Sequence, residues 1–311
     1  MSKIIATGAY LPGHAVTNTQ LINKTDIEST DEWIVQRTGI KKRHFASAEE
    51  SVSDLAIKSA ENLLNKLGVD ISQEINLIIV ATMSAPSPTP SVASQVQAAL
   101  GIKESWAFDI SGACSGFVMA LELAEKITSQ KSAGYSLVIG SEKMSDILNF
   151  DDRASSVLFG DGAGAVLIKN DGEGLRNYQS ILKSIPDPKA SIHSTTKELM
   201  TMDGRAVFDF VLRKVIPSLT EFIKQQEEPF DYLISHQANY RLIEMIVKKL
   251  NVSLEQVPTN IDEVANTSAA SIPILLNKLV NSKKIRLDGT QKIVLVGYGG
   301  GLAWGQISLT I

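Results

Sequence analysis

The chain has 311 residues, of which 44% are hydrophobic and 21% charged, and its formal net charge is −4. Such a chain can bury a sizeable core, and so small a charge gives no indication of nucleic-acid or membrane binding. The single cysteine excludes an intrachain disulfide and a metal site built from thiolates. No apolar run approaches the roughly 20 residues of a membrane span, and the first residues lack the layout of a signal peptide, so we expect a cytoplasmic protein.

Short β-branched runs alternate with longer amphipathic stretches, which indicates an α/β protein with buried strands. Residues 1–8 are predicted to form the first strand. Further strands are predicted at residues 77–81, 105–110, 137–140, 165–169, 232–235, 293–297 and 306–311. Helices are predicted at residues 53–67, 91–100, 116–129, 207–225, 240–250 and 271–281.

The second half of the chain repeats the element order of the first at an offset of roughly 150 residues. The matching pairs are residues 75–80 with 230–235, 111–116 with 265–270, and 137–140 with 294–297. This order predicts two halves of one topology, residues 1–170 and residues 171–311, related by a pseudo-twofold axis. Each half would be a sheet covered by helices.

Cys114 lies where a predicted strand runs through small residues into a predicted helix. Small side chains permit a sharp turn that brings the thiol to the start of the helix. Unpaired backbone N–H groups and the positive dipole end favour a thiolate there, as in a nucleophile elbow. A lone cysteine can equally be a small buried hydrophobic residue.

Three further positions could belong to a catalytic site. His236 follows a predicted strand and precedes a helix, where α/β proteins place catalytic groups, although a structural histidine fits equally well. Asn266 is either a site residue or a helix cap. The glycines at 299–301 either form a tight turn or let a backbone N–H approach a substrate oxygen. The glycines at 160–164 lead into a strand instead of following one, so a dinucleotide loop is excluded.

Taken together, these segments resemble the β-ketoacyl-acyl carrier protein synthase III family, condensing enzymes of the thiolase fold that start type II fatty-acid synthesis. The resemblance covers nearly the whole chain and rests on residues 31–40, 109–117, 159–165, 236–239, 266–273 and 299–305. It implies an α/β, thiolase-like fold with a duplicated five-layer αβαβα architecture and two pseudo-twofold-related halves.

The resemblance also implies a homodimer that catalyses two half-reactions. Cys114 would be acylated by acyl-CoA, and malonyl-acyl carrier protein would then lose CO2 and attack the acyl group. Neutral His236 and the amide of Asn266 would stabilise the enolate, because neither repels negative charge. The backbone N–H groups of Cys114 and Gly300 would form the oxyanion hole. No metal or redox cofactor is expected, and the partners would be acyl-CoA and acyl carrier protein, with no nucleic acid and no membrane.

Binding residues follow from the same resemblance. Trp33 and Arg153 would sandwich the adenine of CoA, and the pantetheine and phosphate path would be lined by Arg37, Thr38, Gly204, Arg205 and Asn239. Carrier proteins are acidic, so the region after His236 is expected to meet one through Gln237, Arg241, Lys248 and Lys249. The alternatives are core packing for the tryptophan and a solvated surface for the basic residues.

The chain departs from the family pattern at several positions. Thr89 stands where many relatives have a phenylalanine that closes the acyl pocket across the dimer, so we expect room for primers longer or bulkier than acetyl. Asp209 stands at a position that is often lysine, which weakens one expected carrier-protein contact. Tyr298 replaces a phenylalanine and Ala265 a glycine, both of which we expect to be tolerated. The stretch at 170–202, which helps to shape the acyl end, is shorter than usual.

Two other functions remain open at this point. One is a related thiolase-fold condensing enzyme or acyltransferase of secondary metabolism that uses longer acyl primers. The other is an inactive subunit that only binds acyl-CoA or a partner, against which the presence of Cys114, His236 and Asn266 argues.

Overall fold

A computed structural model describes residues 2–128, 134–195 and 198–311. Its strands are β1 (Lys3–Tyr10), β2 (Val16–Thr17), β3 (Lys42–Arg43), β4 (Ile75–Ala81), β5 (Trp106–Ile110), β6 (Gly134–Glu142), β7 (Gly162–Asn170), β8 (Gln179–Ser184), β9 (Ile192–His193), β10 (Thr201–Met202), β11 (Tyr232–Ser235), β12 (Lys292–Gly299) and β13 (Ala303–Thr310). Its α-helices are α1 (Asn18–Ile22), α2 (Asp31–Thr38), α3 (Val52–Asn65), α4 (Val92–Ala99), α5 (Gly116–Thr128), α6 (Arg153–Ser156), α7 (Gly204–Phe210), α8 (Ile216–Lys224), α9 (Tyr240–Leu250), α10 (Ile261–Val264) and α11 (Ser271–Asn281).

The two main sheets repeat one topology. The first has the strand order β1-β7-β6-β4-β5 and the second the order β11-β12-β13-β8. β4 is parallel to β6, while β7 is antiparallel to both β6 and β1. In the same way β11 is parallel to β12, while β13 is antiparallel to both β12 and β8. β8 is therefore the counterpart of β1, and β5 is an additional edge strand of the first sheet.

The elements stack in five layers, as expected from the resemblance. Apolar side chains of α3 and α4 cover the outer face of the first sheet. Helices α5 and α11 fill the space between the sheets, where Leu121 and Leu275 pack in one cluster with Ile79 of β4 and Leu295 of β12. Helices α8 and α9 cover the outer face of the second sheet. Strands buried on both faces explain the continuous apolar runs in the sequence.

The glycines at 160–164 serve close packing between layers. A Cβ on Gly164 would lie 2.6 Å from the backbone nitrogen of Ile274, in the first turn of α11. Any larger residue would push α11 away from β7. These glycines thus have a structural explanation that needs no nucleotide.

Most predicted elements are confirmed to within a few residues. The short elements α1, α2, α6, α10, β2, β3, β9 and β10 are additional, and some details differ. The last residue of the predicted helix 116–129 lies outside the described residues. The helix predicted at 207–225 begins earlier, at Gly204, and contains a π-helical turn, Val211–Val215, before α8. Pro217, in the first turn of α8, has no N–H to donate, so a regular hydrogen-bond ladder cannot pass through it. Strand β8 was not predicted, because its polar sequence Gln-Ser-Ile-Leu-Lys-Ser shows little alternation.

Two equivalent turns meet at the centre of the molecule. The turns are 3₁₀-helical, Ala113–Ser115 before α5 and Ser268–Ala270 before α11. Each begins with a residue of positive φ, 45° at Ala113 and 48° at Ser268. A Cβ on Gly116 would lie 3.5 Å from Cβ of Ala269, so the two turns are in contact. The duplication thereby brings distant segments of the chain to one place. The boundary between the halves, predicted at residues 170 and 171, stays a prediction.

Candidate active site

Cys114 lies in the first of these turns, with 6% of its surface exposed. The small neighbours predicted from the sequence are needed here. A Cβ on Gly112 would lie 2.5 Å from Sδ of Met119 and 3.0 Å from Cα of Gly116. A side chain at that position would therefore displace the Met119 side chain and press on the backbone at Gly116.

Burial raises the pKa of the Cys114 thiol to about 12, and the negative charge of Glu142 also raises it, while a hydrogen bond with Ser268 lowers it. The expectation of a thiolate is therefore wrong for the ligand-free cavity. The α-helix itself begins at Gly116, two residues after the cysteine, and the largest cause of the pKa shift is desolvation of the buried thiol. The thiol is protonated at neutral pH, and its proton must leave during any attack.

His236 follows β11 directly and is almost fully buried. Its Nδ1 lies 2.7 Å from Oγ of Ser271, the first residue of α11. Its ring packs edge-on against that of Tyr298, with centroids 5.2 Å apart. Burial lowers the pKa of His236 to about 3, so the imidazole is neutral at physiological pH, as the enolate-stabilising role requires.

Asn266 is fixed by its own backbone. Its N–H donates to the carbonyl of Leu158 (2.9 Å), and its carbonyl accepts from the N–H of Gly160 (3.0 Å). The side-chain Oδ1 accepts from the N–H of Ser268 (2.9 Å), which leaves the NH2 group for other contacts. Asn266 is not the N-cap residue of either helix, since Thr267 precedes the 3₁₀ turn and α11 begins five residues after Asn266.

Cys114, His236 and Asn266 line one cavity, which contains about 600 Å³ of empty space including its mouth. Its wall is otherwise mostly apolar and includes Leu158, Phe159, Ile192, Met202, Val207, Phe208, Leu242 and Tyr298. The structure therefore brings together the three residues that the sequence placed in one site. Ile192 and Met202 lie within the shortened stretch at 170–202, which supports the expectation that this stretch shapes the cavity.

Gly299, at the end of β12, packs directly on the cysteine. A Cβ there would lie 2.8 Å from Cβ and 3.3 Å from Sγ of Cys114. At Gly300 a Cβ would face Ala113 and Ile192 at 3.5 Å instead. Sequence reasoning named the glycine run but did not identify Gly299 as the one that the thiol needs. The part of Gly300 in an oxyanion hole stays a prediction.

Other residues around the site were missed. Ser271 holds the imidazole, and Ser268 and the buried Glu142 lie behind Cys114. A signal existed for Glu142, because a charged residue just after the apolar run 137–140 occupies the end of a buried strand, where functional groups gather.

Trp33 and Arg153 are close together on α2 and α6. The guanidinium carbon of Arg153 lies 4.7 Å from the centroid of the Trp33 ring, and that of Arg37 lies 5.8 Å away. An adenine between Trp33 and Arg153 needs two stacking gaps of about 3.5 Å each. The predicted sandwich therefore requires Arg153 to move outward, breaking its hydrogen bond to the carbonyl of Glu28.

The remaining predicted CoA contacts differ in accessibility. Gly204 and Asn239 line the cavity, and Arg205 is exposed. Thr38 is buried, and its hydroxyl donates to the carbonyl of Ile34 (2.7 Å) and accepts from the N–H of Ile40 (3.0 Å). This geometry supports a structural role for Thr38, at the end of α2.

The predicted carrier-protein residues separate into two groups. Arg241, Lys248 and Lys249 are exposed along α9, whose first turn borders the cavity at Leu242. Gln237 is fully buried: its amide donates to the carbonyl of Ser235 (2.8 Å), and its Oε1 accepts from Thr259 Oγ1 (2.6 Å). The prediction that Gln237 contacts a carrier protein is wrong, because its side chain is satisfied inside the protein.

Thr89 does not line the Cys114 cavity. It is exposed and borders a separate surface pocket beside β5, together with Pro88, Ser91 and Phe108. Its predicted place in the acyl pocket of a second copy stays a prediction.

Within residues 2–128, 134–195 and 198–311, no group of three or more His, Cys, Asp or Glu side chains is arranged to hold a metal ion. In the same part of the chain, every helix is too short or too polar to cross a membrane.

The chain was compared with protein families and known proteins. Residues 108–184 match the family model for 3-oxoacyl-[acyl-carrier-protein (ACP)] synthase III, and residues 223–311 match the model for its C-terminal part. It is 45% identical to the beta-ketoacyl-[acyl-carrier-protein] synthase III of Streptococcus gordonii, over 100% of this chain and 99% of the relative. The corresponding enzyme of Streptococcus sanguinis is 44% identical over the same shares.

Solved structures are similar over the whole chain as well. The 3-oxoacyl-[acyl-carrier-protein] synthase III of Aquifex aeolicus has a TM-score of 0.92 at 37% identity, covering 100% of both chains. The priming beta-ketosynthase of the R1128 polyketide pathway has a TM-score of 0.92 at 29% identity, covering 100% of this chain and 96% of that one.

Proposed function

Because the chain belongs to the 3-oxoacyl-[acyl-carrier-protein] synthase III family of thiolase-fold acyltransferases, we propose that it starts type II fatty-acid synthesis by condensing an acyl-CoA with malonyl-acyl carrier protein. The observation that carries this proposal is the meeting of a thiol, a neutral imidazole and a carboxamide in one apolar cavity. The reaction takes place in the cytoplasm and yields β-ketoacyl-acyl carrier protein, CoA and CO2.

In the first half-reaction, Sγ of Cys114 attacks the carbonyl carbon of the acyl-CoA thioester. The new carbon–sulfur bond forms as the bond to the CoA sulfur breaks. The thiol proton ends on the departing CoA sulfur, so an isolated thiolate is not required despite its raised pKa. The backbone N–H groups of Cys114 and Gly300 stabilise the oxyanion.

In the second half-reaction, the malonyl thioester loses CO2 and becomes an enolate. Its oxygen needs hydrogen-bond donors without negative charge, which are the Nε2–H of His236 and the NH2 of Asn266. The enolate carbon attacks the acyl-cysteine, the carbon–sulfur bond to Cys114 breaks, and the released thiolate takes up one proton from solvent.

Ser271 sets the imidazole tautomer that this step needs. We propose that Oγ of Ser271, which lies 2.7 Å from Nδ1 of His236 and 3.5 Å from the backbone nitrogen of Gln237, donates its hydrogen to Nδ1. With Nδ1 as acceptor, the ring proton is on Nε2. His236 is therefore a donor in decarboxylation and not the base in acylation.

The substrates reach the cavity from the face formed by α2, α6 and α9. The adenine of CoA binds at Trp33 and Arg153, and the acidic carrier protein docks on Arg241, Lys248 and Lys249. The functional unit is a homodimer.

The test measures the two half-reactions separately. Acyl-CoA should add one acyl group to Cys114, detected by intact mass, with release of one CoA, and Cys114→Ala should give no adduct. His236→Ala should still be acylated but should lose malonyl-acyl carrier protein decarboxylation by at least about 100-fold. An equal loss of both half-reactions would contradict this division of roles.

A priming ketosynthase of secondary metabolism is the second candidate, supported by the similarity to the R1128 enzyme and by Thr89 in place of a phenylalanine. A series of acyl-CoA primers of increasing length and branching, with malonyl-acyl carrier protein, separates the two. Strict preference for acetyl-CoA would exclude this candidate, and an ester or CoA-bound product would exclude the main proposal.

A further inference from the structure

Glu142 is a fully buried carboxylate for which the reaction steps above give no role. It is the last residue of β6, and its side chain lies behind the two central turns. From the first half of the chain, Glu142 accepts hydrogen bonds from Oγ of Ser84 (2.6 Å), the N–H of Met83 (3.1 Å) and Oγ1 of Thr82 (3.3 Å).

The same carboxylate also binds the second half of the chain. Oγ of Ser268 donates to its Oε1 (3.0 Å), and the N–H of Ala269 donates as well. Both residues belong to the turn that follows Asn266, and the N–H of Ser268 is the donor that fixes Oδ1 of Asn266. Ser268 thus links the Glu142 carboxylate to Asn266, whose amide orientation it fixes.

The turn needs such support. Ser268 has a φ of 48°, a backbone conformation that residues other than glycine seldom adopt. The turn also presses on β6, since a Cβ on Gly140 would lie 2.4 Å from the carbonyl oxygen of Ala269. Strain and close packing persist only where the surroundings hold the backbone in place.

We infer that Glu142 is a positioning residue, whose carboxylate ties the Asn266 turn of the second half to the Cys114 half and directs the Asn266 amide into the cavity. This rests on the proposed function in one respect, which is that Asn266 acts on the malonyl group.

The chemistry of the contacts requires a carboxylate. Hydroxyl and backbone N–H donors converge on it from both halves, and an ionised carboxylate accepts at both oxygens without offering a hydrogen. A glutamine in its place would turn an NH2 group toward one set of these donors. A glutamine is therefore a poorer acceptor for this set of donors, as is the protonated acid that forms when the pH falls below about 7.

The charge also acts on the nucleophile. The titratable groups around Glu142 are Cys114, whose pKa its charge raises, and the next residue, Lys143, whose ammonium lies 3.1 Å from Asp146. The hydrogen-bond partners of Glu142 after β4 and in the Asn266 turn are hydroxyl groups and backbone amides, which do not titrate. Burial raises the pKa of Glu142 itself to about 7.

Two serine variants form a matched pair. Ser268→Ala and Ser84→Ala each remove one hydroxyl donor to the same carboxylate, one on the side of the Asn266 turn and one on the opposite side. We expect similar decreases in melting temperature. Ser268→Ala should lower malonyl-acyl carrier protein decarboxylation about tenfold, and it should also slow Cys114 acylation, because its hydroxyl bonds the thiol. Ser84→Ala should keep both half-reactions within about twofold.

Glu142→Gln should lower decarboxylation about 100-fold, because the amide of Asn266 loses its fixed direction. A purely structural role would not alter the ionisation of Cys114, so the second measurement is the pH profile of its alkylation by iodoacetamide. The inflection should move to lower pH in Glu142→Gln, where the neighbouring negative charge is absent, and should stay in place in Ser84→Ala.

Equal losses of decarboxylation in the two serine variants would overturn the inference, even if Glu142→Gln does not fold. Unchanged decarboxylation in a folded Glu142→Gln variant would overturn it as well. Failure of the wild-type protein to decarboxylate malonyl-acyl carrier protein would instead contradict the proposed function, and the alkylation profile would still decide whether Glu142 acts on Cys114.

Discussion

Ala265 stands immediately before Asn266 in a backbone conformation of φ 60° and ψ −159°. Only glycine adopts this region readily, and a side chain there costs about 1–3 kcal/mol. The expectation that alanine is tolerated at this position is therefore incomplete: the turn forms, but under strain.

We predict that Ala265→Gly raises the free energy of unfolding by about 1 kcal/mol. Relief of the strain outweighs the loss of one buried methyl group, worth about 0.8 kcal/mol. Urea denaturation measures the change. Ala270→Gly is the control, because Ala270 is buried in the following turn with an ordinary φ of −76° and should lose stability. Loss of stability in both variants would show that residue 265 is not strained.

His236 gives the stability of the protein a defined pH dependence. Its folded pKa of about 3 lies below the unfolded value of 6.5, so only the unfolded chain binds the proton between these values. The stability is complete above pH 6.5 and falls as the pH decreases. We predict that the advantage of the wild type over His236→Asn shrinks by about 1.4 kcal/mol from pH 7.5 to pH 5.5. Denaturation curves at both pH values measure it, and a constant difference would mean that the pKa of His236 is the same in the folded and unfolded states.

At the residue scale, the sequence identified side chains through their immediate neighbours. Cys114 was recognisable from the small residues of its own turn. Gln237 was misassigned because its partner Thr259 lies 22 positions further along the chain, and adjacency to His236 says nothing about burial. Gly299 could not be distinguished from Gly300, since only the register of β12 decides which glycine meets the thiol.

At the scale of elements, a buried arginine connects the two helices of the proposed CoA site. Arg43 is fully buried and donates to Oδ1 of Asn18 (2.6 Å) and to the carbonyl of Val157 (2.9 Å), just after α6. Nδ2 of Asn18 donates in turn to Asp31, the first residue of α2. The buried guanidinium of Arg43 thus connects the helices that carry Trp33 and Arg153.

We predict that Trp33→Ala raises the KM for acyl-CoA about tenfold and leaves the KM for malonyl-acyl carrier protein within about twofold, because in the proposed CoA site the ring stacks on the adenine, which the carrier-protein substrate lacks. Steady-state kinetics with each substrate varied in turn measures both constants. Arg176→Ala is the control, since Arg176 is exposed and bonded to the carbonyl of Gly289. Equal increases of both KM values would place Trp33 outside a CoA-specific site.

Element boundaries followed from the sequence wherever local pattern sufficed. The buried strands β4, β6 and β12 are long apolar runs, and α9 has apolar residues at helical spacing. β8 is different, because it forms a strand through pairing with β13 and not through the pattern of its own residues. Tertiary pairing of this kind leaves no local pattern to read.

For the molecule as a whole, the duplicated topology was predictable because each half repeats the same order of elements. The contacts across the halves were not. Ser268 and Glu142 are 126 positions apart, and they meet only because both central turns face one another between the sheets. Their pairing depends on the full five-layer packing, which no local segment encodes.

The proposed homodimer would use the edge of the first sheet as its contact surface. β5 is its last strand, and within the described residues it pairs with β4 alone. Trp106, at the start of β5, is 54% exposed, which is unusual for so large an apolar side chain. Open strand edges with exposed apolar residues are a liability that proteins cover, and a second copy of the chain pairing along β5 would cover this one.

We predict that Trp106→Lys weakens the homodimer at least about tenfold, since it places a charge where an apolar ring would be buried. Sedimentation equilibrium should give twice the chain mass of 33.6 kDa for the wild type and a shift toward the single mass for the variant. Val69→Lys, at a residue that is 64% exposed in the turn after α3, should remain dimeric. Since Thr89 is predicted to act on the partner's acyl pocket, the dissociated variant should also lose its primer preference. A wild type of single mass would exclude both the dimer and that role of Thr89.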